Sequence, residues 1–325
     1  MAERVWITWE VQQRNRTMSQ KVGATLFEVT SARGRLLRYP YQVWRTLQIL
    51  RRERPDVLFV QNPSIVLSML AISTKRYFRI SRLIMDAHNA GIYPLEGRIE
   101  PLNSLARLIF RRTDITIVTN AVLAGYVTDN GGNPVIVPDP LPDFGVEKCA
   151  VSAVPNSPLK AVFICTWGAD EPWEEVIEAA TGLEGLVNIY ITGKYIAAVA
   201  NRNLPKNIIL TGFLHDEAYI DLLRSADFII VLTKRENCLN CGAYEAVSLC
   251  KPLVLSDTSA LRGYFSAGAV HAENNARSIA AALGQMADSL NEYSAQVAQL
   301  RQHLEEDWGR YLLALERKIR LEEGA

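Results

Sequence analysis

Short apolar runs alternate with segments of helical spacing along most of the chain, and this alternation limits the fold more than any other feature. Residues 57–60 and 228–232 are apolar at every position, as expected of strands buried on both faces of a parallel sheet. Segments such as residues 41–52 lie between these runs and place apolar residues three or four positions apart. Strands that alternate with helices in this way predict doubly wound α/β domains of the Rossmann type.

The alternation stops once, near the middle of the chain, and then resumes. Residues 138–142 are rich in proline and residues 151–158 carry little periodic pattern, which is typical of a connection between domains. A chain of 325 residues is long enough for two domains with separate cores. We predict a Rossmann-like domain at 1–145, a linker at 146–158, a second Rossmann-like domain at 159–300, and a C-terminal helix at 301–325 that packs back on the first domain.

Charge is balanced over the whole chain but not along it. Residues 1–150 hold 20 Lys and Arg against 13 Asp and Glu, and residues 151–325 hold 15 against 22. A basic half is typical of a protein that meets a polyanion or a membrane surface, but the same asymmetry also arises without function, and we weigh the two readings equally. No recognised nucleic-acid-binding module is present, so nucleic acid is not expected as a partner.

One basic and aromatic cluster lies in the first half of the chain. Its members are Lys75, Arg76, Tyr77, Phe78, Arg79 and Arg82. Long basic side chains beside aromatic rings favour contact with anionic lipid headgroups. The alternative is a solvated turn before a strand; we favour contact with a membrane surface.

The cysteines and the length of the apolar runs indicate the cellular compartment in which the protein works. The five cysteines, Cys149, Cys165, Cys238, Cys241 and Cys250, are odd in number and scattered, so we predict no disulfide framework and a reducing environment. The C-x-x-C of residues 238–241 lacks further ligands, so neither a metal site nor a redox role is expected. No signal peptide is visible and no run of about 20 apolar residues exists. We predict a cytoplasmic protein, peripheral on the cytoplasmic face of a membrane if the basic cluster binds there.

The polar loop after the strand at 228–232, together with the helix behind it, is the best candidate for a binding site. In a parallel sheet this loop lies at the carboxyl end of its strand, where open α/β sheets bind ligands, and a helix start attracts anions. The candidate groups are Lys234 and Arg235 for charge, Asn240 as helix cap, Gly242 for close backbone approach, and Glu245 as acceptor for two ribose hydroxyls. The alternative is an ordinary crossover with a capped helix; the whole constellation favours a nucleotide site.

These residues carry a resemblance to a known family. The sequence G-A-Y-E-A at 242–246 followed by C-K-P-L-V-L-S-D at 250–257 resembles the signature of family 4 glycosyltransferases of the GT-B fold, and the G-F-L-H-D-E at 212–217 is similar to their G-F-x-x-x-E element. In the first half, the N-P at 62–63 and the D-A-H-N at 86–89 are similar to motifs of the β-mannosyltransferase that acts on dolichol-linked chitobiose.

The resemblance implies two Rossmann-like domains facing across a cleft and a sugar transferred, with retention, from a nucleotide sugar, UDP-linked, to a glycan or lipid-linked acceptor. Because the chain has no D-x-D, we expect no metal and no other cofactor. The implied catalytic residues are His88 and Glu236. The implied acceptor-side residues are Asn62, Asp86 and Asn89, and the implied donor-binding residues are Thr166, Lys194, Lys234, Arg235, Asn237, Asn240, Gly242 and Glu245.

Two departures from the family pattern stand out. The family has a second Glu eight positions before the one matched by Glu245; here Asn237 occupies that position and the carboxylate belongs to Glu236. Either side chain could hold sugar hydroxyls. The Arg and Lys that hold donor phosphates in the family are absent from residues 165–172. Two alternatives therefore remain, an epimerase-type GT-B enzyme acting on a UDP-sugar and a non-catalytic partner of another transferase.

Overall fold

The computed structural model describes residues 3–321 except 32–33, 63, 88, 147–148, 150–157, 197–198 and 200–201. The chain divides into two compact units, the first formed by Met1–Pro140 with Asp307–Ala325 and the second by Leu141–Glu306. Each unit is built on one six-stranded sheet with helices between the strands. The predicted α/β class with two Rossmann-like domains is therefore confirmed.

The sheet of the first unit is parallel throughout. Its strands are β1 (Arg4–Thr8), β2 (Thr25–Glu28), β3 (Val57–Asn62), β4 (Arg82–Ala87), β5 (Ile115–Val118) and β6 (Pro134–Ile136). Its helices are α1 (Gln13–Lys21), α2 (Arg35–Glu53), α3 (Ile65–Thr74), α4 (Asn89–Ile92), α5 (Glu100–Arg112) and α6 (Ala121–Asp129). The strand order is β2-β1-β3-β4-β5-β6. The order in which strands are added therefore reverses between β1 and β3, with β2 on one side of β1 and β3 to β6 on the other.

The second unit repeats this plan. Its strands are β7 (Leu159–Phe163), β8 (Val187–Thr192), β9 (Ile208–Gly212), β10 (Phe228–Val231), β11 (Leu253–Ser256) and β12 (Ala269–Ala272). Its helices are α7 (Trp173–Ala180), α8 (Asp216–Ser225), α9 (Cys241–Ser248), α10 (Ser259–Tyr264) and α11 (Ala276–Asp288). The parallel strands follow the order β12-β11-β10-β7-β8-β9, so the reversal here lies between β7 and β10.

Both faces of each sheet are covered, which explains why the strands are apolar at consecutive positions. In the first unit Trp6 and Phe59 stack at a ring distance of 5.1 Å on the face that carries α1. Val5 and Leu58 point to the opposite face, which carries α2 and α3. Each such fully buried side chain contributes on the order of 1.5–3 kcal/mol to folding.

A final helix, α12 (Leu290–Leu321), ends in the first unit. Trp308, Leu315 and Ile319 are buried with the core residues around β1 and α1. The Trp308 indole N–H donates to the carbonyl of Pro138 at 3.1 Å, and Lys318 donates to the carbonyl of Pro134 at 2.8 Å. The C-terminal helix therefore packs on the first unit, as the sequence predicts.

The differences from the sequence prediction lie at the ends of elements and in the weakly patterned segments. α1 begins at Gln13, and its start carries no apolar pattern because this helix is polar apart from the buried Met18, with Val22 beyond its end. α2 begins at Arg35 and contains Pro40, although the pattern suggested a start at residue 41. Pro40 lacks its own N–H, so the helix loses one backbone hydrogen bond there and continues. The short elements β12 and α10 were not predicted.

The cysteine prediction is wrong in one respect. Cys149 and Cys250 form a disulfide, with 5.4 Å between their Cα atoms, a separation that a disulfide bridges readily. They lie 101 positions apart in sequence, so spacing alone gives no sign of the pair. Cys165, Cys238 and Cys241 take no part in this disulfide.

Candidate functional site

The centre of the second sheet is where its connections reverse direction, and ligands of open α/β sheets bind at such a point. β7 and β10 are neighbours, with Phe228 opposite Ala161 and Ile230 opposite Phe163. The β7–α7 loop (residues 164–172) and the β10–α9 loop (residues 232–240) therefore leave the same edge side by side. The backbone N–H of Lys234 donates to the carbonyl of Asp170 at 2.6 Å and joins the two loops.

Two polar side chains and the backbone of Thr233 fix the base of the β10–α9 loop. The N–H of Thr233 donates to the Ser256 hydroxyl at 2.8 Å, and that hydroxyl donates to Asn274 Oδ1 at 2.7 Å. Asn274 Nδ2 returns a bond to the Thr233 carbonyl at 2.9 Å. The ends of three adjacent strands are thus tied together directly below the candidate site.

The start of α9 has no side-chain cap. Asn240 stands at the N-cap position but makes no capping hydrogen bond, and its Oδ1 is buried without a hydrogen-bond partner among the described residues. By contrast, Asn275 caps α11 by accepting from the Ser278 N–H at 2.9 Å. The cap predicted for Asn240 is therefore wrong. A buried polar atom without a partner costs about 1–3 kcal/mol, a cost that a ligand donor would remove.

Gly242 is buried in the first turn of α9 and has a packing role. A Cβ at this position would lie 2.9 Å from Ile164 Cδ1 and 3.3 Å from Val231 Cγ2. The glycine thus lets the helix start approach the ends of β7 and β10. Close approach of its backbone to a ligand, the role predicted for it, stays a prediction.

The predicted cations lie at this edge, and two of them already have anionic partners. Lys234 Nζ is 3.2 Å from Glu175, and Arg235 Nε is 3.2 Å from Asp170. Nearly half of each cationic side chain is exposed, at 45% for Lys234 and 46% for Arg235. Lys194 follows β8 and is exposed. An arriving anion can therefore reach Lys234 and Arg235 but must compete with two carboxylates.

Glu245 lies in α9 and is bound by a neighbouring helix. The hydroxyl of Tyr219, in the first turn of α8, donates to Glu245 Oε2 at 2.5 Å. Burial raises the pKa of Glu245 above its ordinary value, and the Tyr219 hydrogen bond opposes this shift. Burial and the adjacent carboxylate also raise the pKa of Tyr219. Glu245 therefore has a second acceptor oxygen for which the structure gives no hydrogen bond to a described residue.

Glu236 and Asn237, the two alternatives for the sugar-contacting position, lie next to each other between Arg235 and α9. Glu236 is exposed and Asn237 is half-buried. Both are on the same loop as the cations, and the geometry of the loop is compatible with either assignment.

The β7–α7 loop closes on a carboxylate that the sequence reasoning did not single out. The Glu171 carboxylate accepts the backbone N–H groups of Thr166 at 2.9 Å and Gly168 at 2.8 Å, and also the Thr166 hydroxyl at 3.0 Å. Trp167 between them has a left-handed backbone, with φ of 63°. The predicted donor-binding residue Thr166 is exposed, but its donors are used within the loop.

The corresponding edge of the first sheet holds a buried ion-pair network. Arg14, in α1, donates to Asp86 from Nε at 2.9 Å and from Nη2 at 2.7 Å, and also binds the Asp139 carboxylate and the Val137 carbonyl. Burial lowers the pKa of Arg14, but the two carboxylates outweigh this and raise it well above its ordinary value. Asp86, predicted to face an acceptor, is instead fully buried and holds Arg14. Arg14 was not predicted as a buried residue, because the residues around it are almost all polar.

The remaining acceptor-side predictions centre on the ends of β3 and β4. The side chain of Asn62 and the whole of His88 lie outside the described residues. Asn89 begins α4, and its Oδ1 is buried without a hydrogen-bond partner among the described residues. The catalytic role of His88 stays a prediction.

The basic and aromatic cluster lies between α3 and β4, at the edge opposite the carboxyl ends of the strands. Tyr77 is 82% exposed, and Arg76 and Arg79 are also exposed. Lys75 instead binds Asp114, with Nζ 2.6 Å from the carboxylate. Among the helices that the structure describes, none is both long and apolar enough to cross a membrane.

Comparison with known proteins identifies similar folds but no family. No protein-family model matches the sequence, and no curated protein is significantly similar to it. Among solved structures, sucrose-phosphate synthase from Thermosynechococcus elongatus matches with a TM-score of 0.78 at 12% identity, covering 99% of each chain. HepE from Anabaena, solved in complex with UDP, matches with a TM-score of 0.72 at 11% identity, covering 99% of each chain.

A third similar structure is the apo form of the lipopolysaccharide outer core galactosyltransferase WaaB. It matches with a TM-score of 0.65 at 11% identity, covering 98% of this chain and 99% of that one. At such low identity these similarities establish architecture and not activity. Taken with the two parallel sheets, they show that the chain has the GT-B fold.

Proposed function

We propose that this protein is a glycosyltransferase that moves a sugar from a nucleotide sugar, UDP-linked, to a glycan or lipid-linked acceptor. The observation that carries this proposal is the uncapped start of α9 beside Lys234 and Arg235, at the reversal point of the second sheet. Backbone N–H groups and the helix dipole favour a diphosphate there. HepE, a protein of similar fold, was solved with UDP-glucose, which supports UDP as the nucleotide.

The donor would be held by groups on one edge of the second unit. Lys234 and Arg235 would bind its phosphates together with the start of α9, and Lys194 would add charge from the end of β8. Glu245 would accept a ribose hydroxyl with Oε1, because the Tyr219 hydroxyl binds Oε2. Asn240 has an unpartnered Oδ1 that suits a hydroxyl or N–H donor of the ligand.

In the transfer, the bond between the anomeric carbon and the diphosphate breaks and a bond to an acceptor hydroxyl forms. The leaving UDP gains negative charge, which cations and the helix start stabilise. The acceptor proton must leave at the same stage; we assign it to the region of His88 or Glu236. We further propose family 4 membership, retention of anomeric configuration and independence from metal, so that transfer should proceed unchanged in excess EDTA.

Isothermal calorimetry with UDP tests the proposal directly. The double variant Lys234→Ala/Arg235→Ala should bind UDP at least about tenfold more weakly, because charge-assisted hydrogen bonds to phosphate are worth about 1.5–3 kcal/mol each. Lys206→Ala is the matched control, since Lys206 is exposed just before β9, at the opposite edge of the same sheet. Equal losses in both variants would contradict the assigned site.

The products then separate the alternatives. Transfer of radiolabelled sugar to an acceptor supports the transferase, whereas isomerised UDP-sugar without acceptor supports an epimerase-type enzyme. A protein that binds neither UDP nor any UDP-sugar at millimolar concentration supports the non-catalytic partner.

We also propose that the cluster around Tyr77 contacts anionic membrane surfaces. Its exposed basic residues and the 82% exposed tyrosine support this. Arg79→Glu/Arg82→Glu should abolish flotation with phosphatidylglycerol vesicles; unchanged flotation of this variant would count against the cluster.

A further inference from the structure

The β7–α7 loop has the geometry of an anion-binding nest. Successive backbone N–H groups converge on one point when a left-handed residue follows a right-handed or extended one, and such nests bind phosphates. Here Trp167 is the left-handed residue, and the N–H groups of Thr166 and Gly168 converge. The Thr166 hydroxyl is a third donor. The loop stands at the carboxyl end of β7, next to the cations proposed to bind the donor.

The nest is already filled by the protein itself. Glu171 places one oxygen, Oε2, within 3.0 Å of all three donors. The Cys165 thiol also faces this oxygen at 3.5 Å. The loop therefore brings three donors to one point that suits an anion. That anion is the side chain of Glu171, five residues after Thr166 in the same loop.

The surroundings keep the carboxylate in place. The Trp167 indole donates to the Thr192 carbonyl at 2.9 Å, and its ring packs against Trp173 at 5.4 Å. Gly193 approaches so closely that a Cβ there would overlap the carbonyl oxygen of Cys165. These contacts support the left-handed backbone of Trp167 from both sides.

We propose that Glu171 is a specificity-determining residue: its carboxylate fills the nest of the β7–α7 loop and excludes ligand phosphate from it. Phosphate contacts are thereby confined to the β10–α9 side, where Lys234 and Arg235 lie. The placement next to the donor rests on the proposed function, but the filling of the nest by an internal anion does not.

The test is to empty the nest and offer it a free anion. In Glu171→Ala, millimolar sodium formate or phosphate should raise the melting temperature above that in sodium chloride of equal ionic strength. A rise of about 2–4 °C is expected when the anion is tenfold above its Kd, because a ligand bound only by the folded state stabilises it. Wild type should show a smaller rise, because Glu171 blocks its nest and the anion can bind only on the side of Lys234 and Arg235.

Glu174→Ala provides the matched control. Glu174 lies in the first turn of α7 and is exposed, and among the described residues it pairs with Arg202 at 3.7 Å, so its variant should respond to anions as wild type does. If Glu171→Ala does not fold by circular dichroism, Glu171→Ser replaces it; its short side chain carries no carboxylate, so this variant should also gain anion-dependent stability.

A folded Glu171 variant with no anion-specific rise beyond wild type overturns the proposal, as does an equal rise in wild type. These measurements use no nucleotide. If the wild-type protein binds no UDP in calorimetry, the proposed function fails while the anion response still decides the role of Glu171.

Discussion

The carboxyl edges of the two sheets use charged residues in opposite ways. In the first sheet, Arg14 and Asp86 have side chains only 5% and 1% exposed and join through several hydrogen bonds. In the second sheet, Lys234 and Arg235 are nearly half exposed, and each meets one carboxylate at 3.2 Å. The carboxyl edge of the sheet thus holds a buried ion-pair network in the first unit and accessible cations in the second.

This difference separates structural from functional charge. A buried ion pair must be complete, because a charge left alone in the interior is strongly unfavourable. An exposed pair contributes little to stability and exchanges partners readily. Asp86 therefore belongs to the framework, although its motif suggested a site, whereas Lys234 and Arg235 remain available to a ligand.

The largest expected effect on stability comes from breaking the buried ion pair of Arg14 and Asp86. Arg14→Met should lower the free energy of unfolding by about 3–5 kcal/mol, because it removes the cation that balances the buried Asp86 carboxylate. Urea denaturation followed by circular dichroism measures this. Arg16→Met is the control, since Arg16 binds Glu28 at the surface; its unfolding curve should overlay that of wild type. A small loss in Arg14→Met would show that Asp86 is hydrated or already protonated.

A smaller loss of stability is expected when the close packing of Gly242 at the carboxyl edge of the second sheet is disturbed. Gly242→Ala introduces a methyl group 2.9 Å from Ile164, and overpacking of this kind costs about 1–3 kcal/mol. In Gly284→Ala, within α11, the new methyl meets no atom within 4 Å, so this control should gain roughly 0.5–1 kcal/mol. If Gly242→Ala is as stable as wild type or more stable, Gly242 has no packing role.

Much of the framework could be predicted from the sequence because its signals are local. The apolar runs of β3 and β10 lie within single segments, and the sequence located both strands to within two residues. The start of α1 could not be located in this way, because the helix is almost entirely polar and has no apolar stripe. The disulfide between Cys149 and Cys250 joins residues 101 positions apart, which no local pattern reports.

The candidate site was predictable in position but not in its contacts. The strand-loop-helix pattern located Lys234, Arg235 and Glu245 at one edge. It could not show that Asn240 leaves the helix uncapped, since a cap depends on one side-chain rotamer. It also missed Glu171, because a carboxylate that binds its own loop has the same sequence signal as an ordinary acidic helix start.

Two asparagines at helix starts sharpen the contrast between framework and site. Asn275 caps α11, so Asn275→Ala should cost about 1 kcal/mol of stability. Asn240 makes no cap and its Oδ1 is buried without a hydrogen-bond partner among the described residues, so Asn240→Ala should raise stability slightly and not lower it. Thermal unfolding of the two variants side by side measures the difference. Equal losses would mean that Asn240 caps α9 in solution and that the helix start is not open to a ligand.

The smallest expected effect concerns the titration of Glu245. Its pKa lies above the ordinary value of 4.5 because of burial, while the Tyr219 hydrogen bond lowers it. The folded protein therefore favours the protonated form, and stability from this group is present at low pH and falls as pH rises through the folded-state pKa. UDP binding should follow the opposite course, because the ionised carboxylate is the better acceptor for ribose hydroxyls.

Tyr219→Phe removes the bond that lowers the pKa of Glu245, so the pH at which UDP affinity is half lost should move upward. Just above that pH the variant should bind UDP about two- to tenfold more weakly than wild type, the range of a hydrogen bond worth ~0.5–1.5 kcal/mol. Tyr293→Phe is the control, because the Tyr293 hydroxyl accepts a hydrogen bond from Gln285 at 2.6 Å, at an exposed position away from Glu245. Calorimetric titrations between pH 5 and 8 supply both profiles. If the profiles of Tyr219→Phe and wild type coincide, Glu245 does not titrate with the nucleotide site, and the ribose must be held by another group.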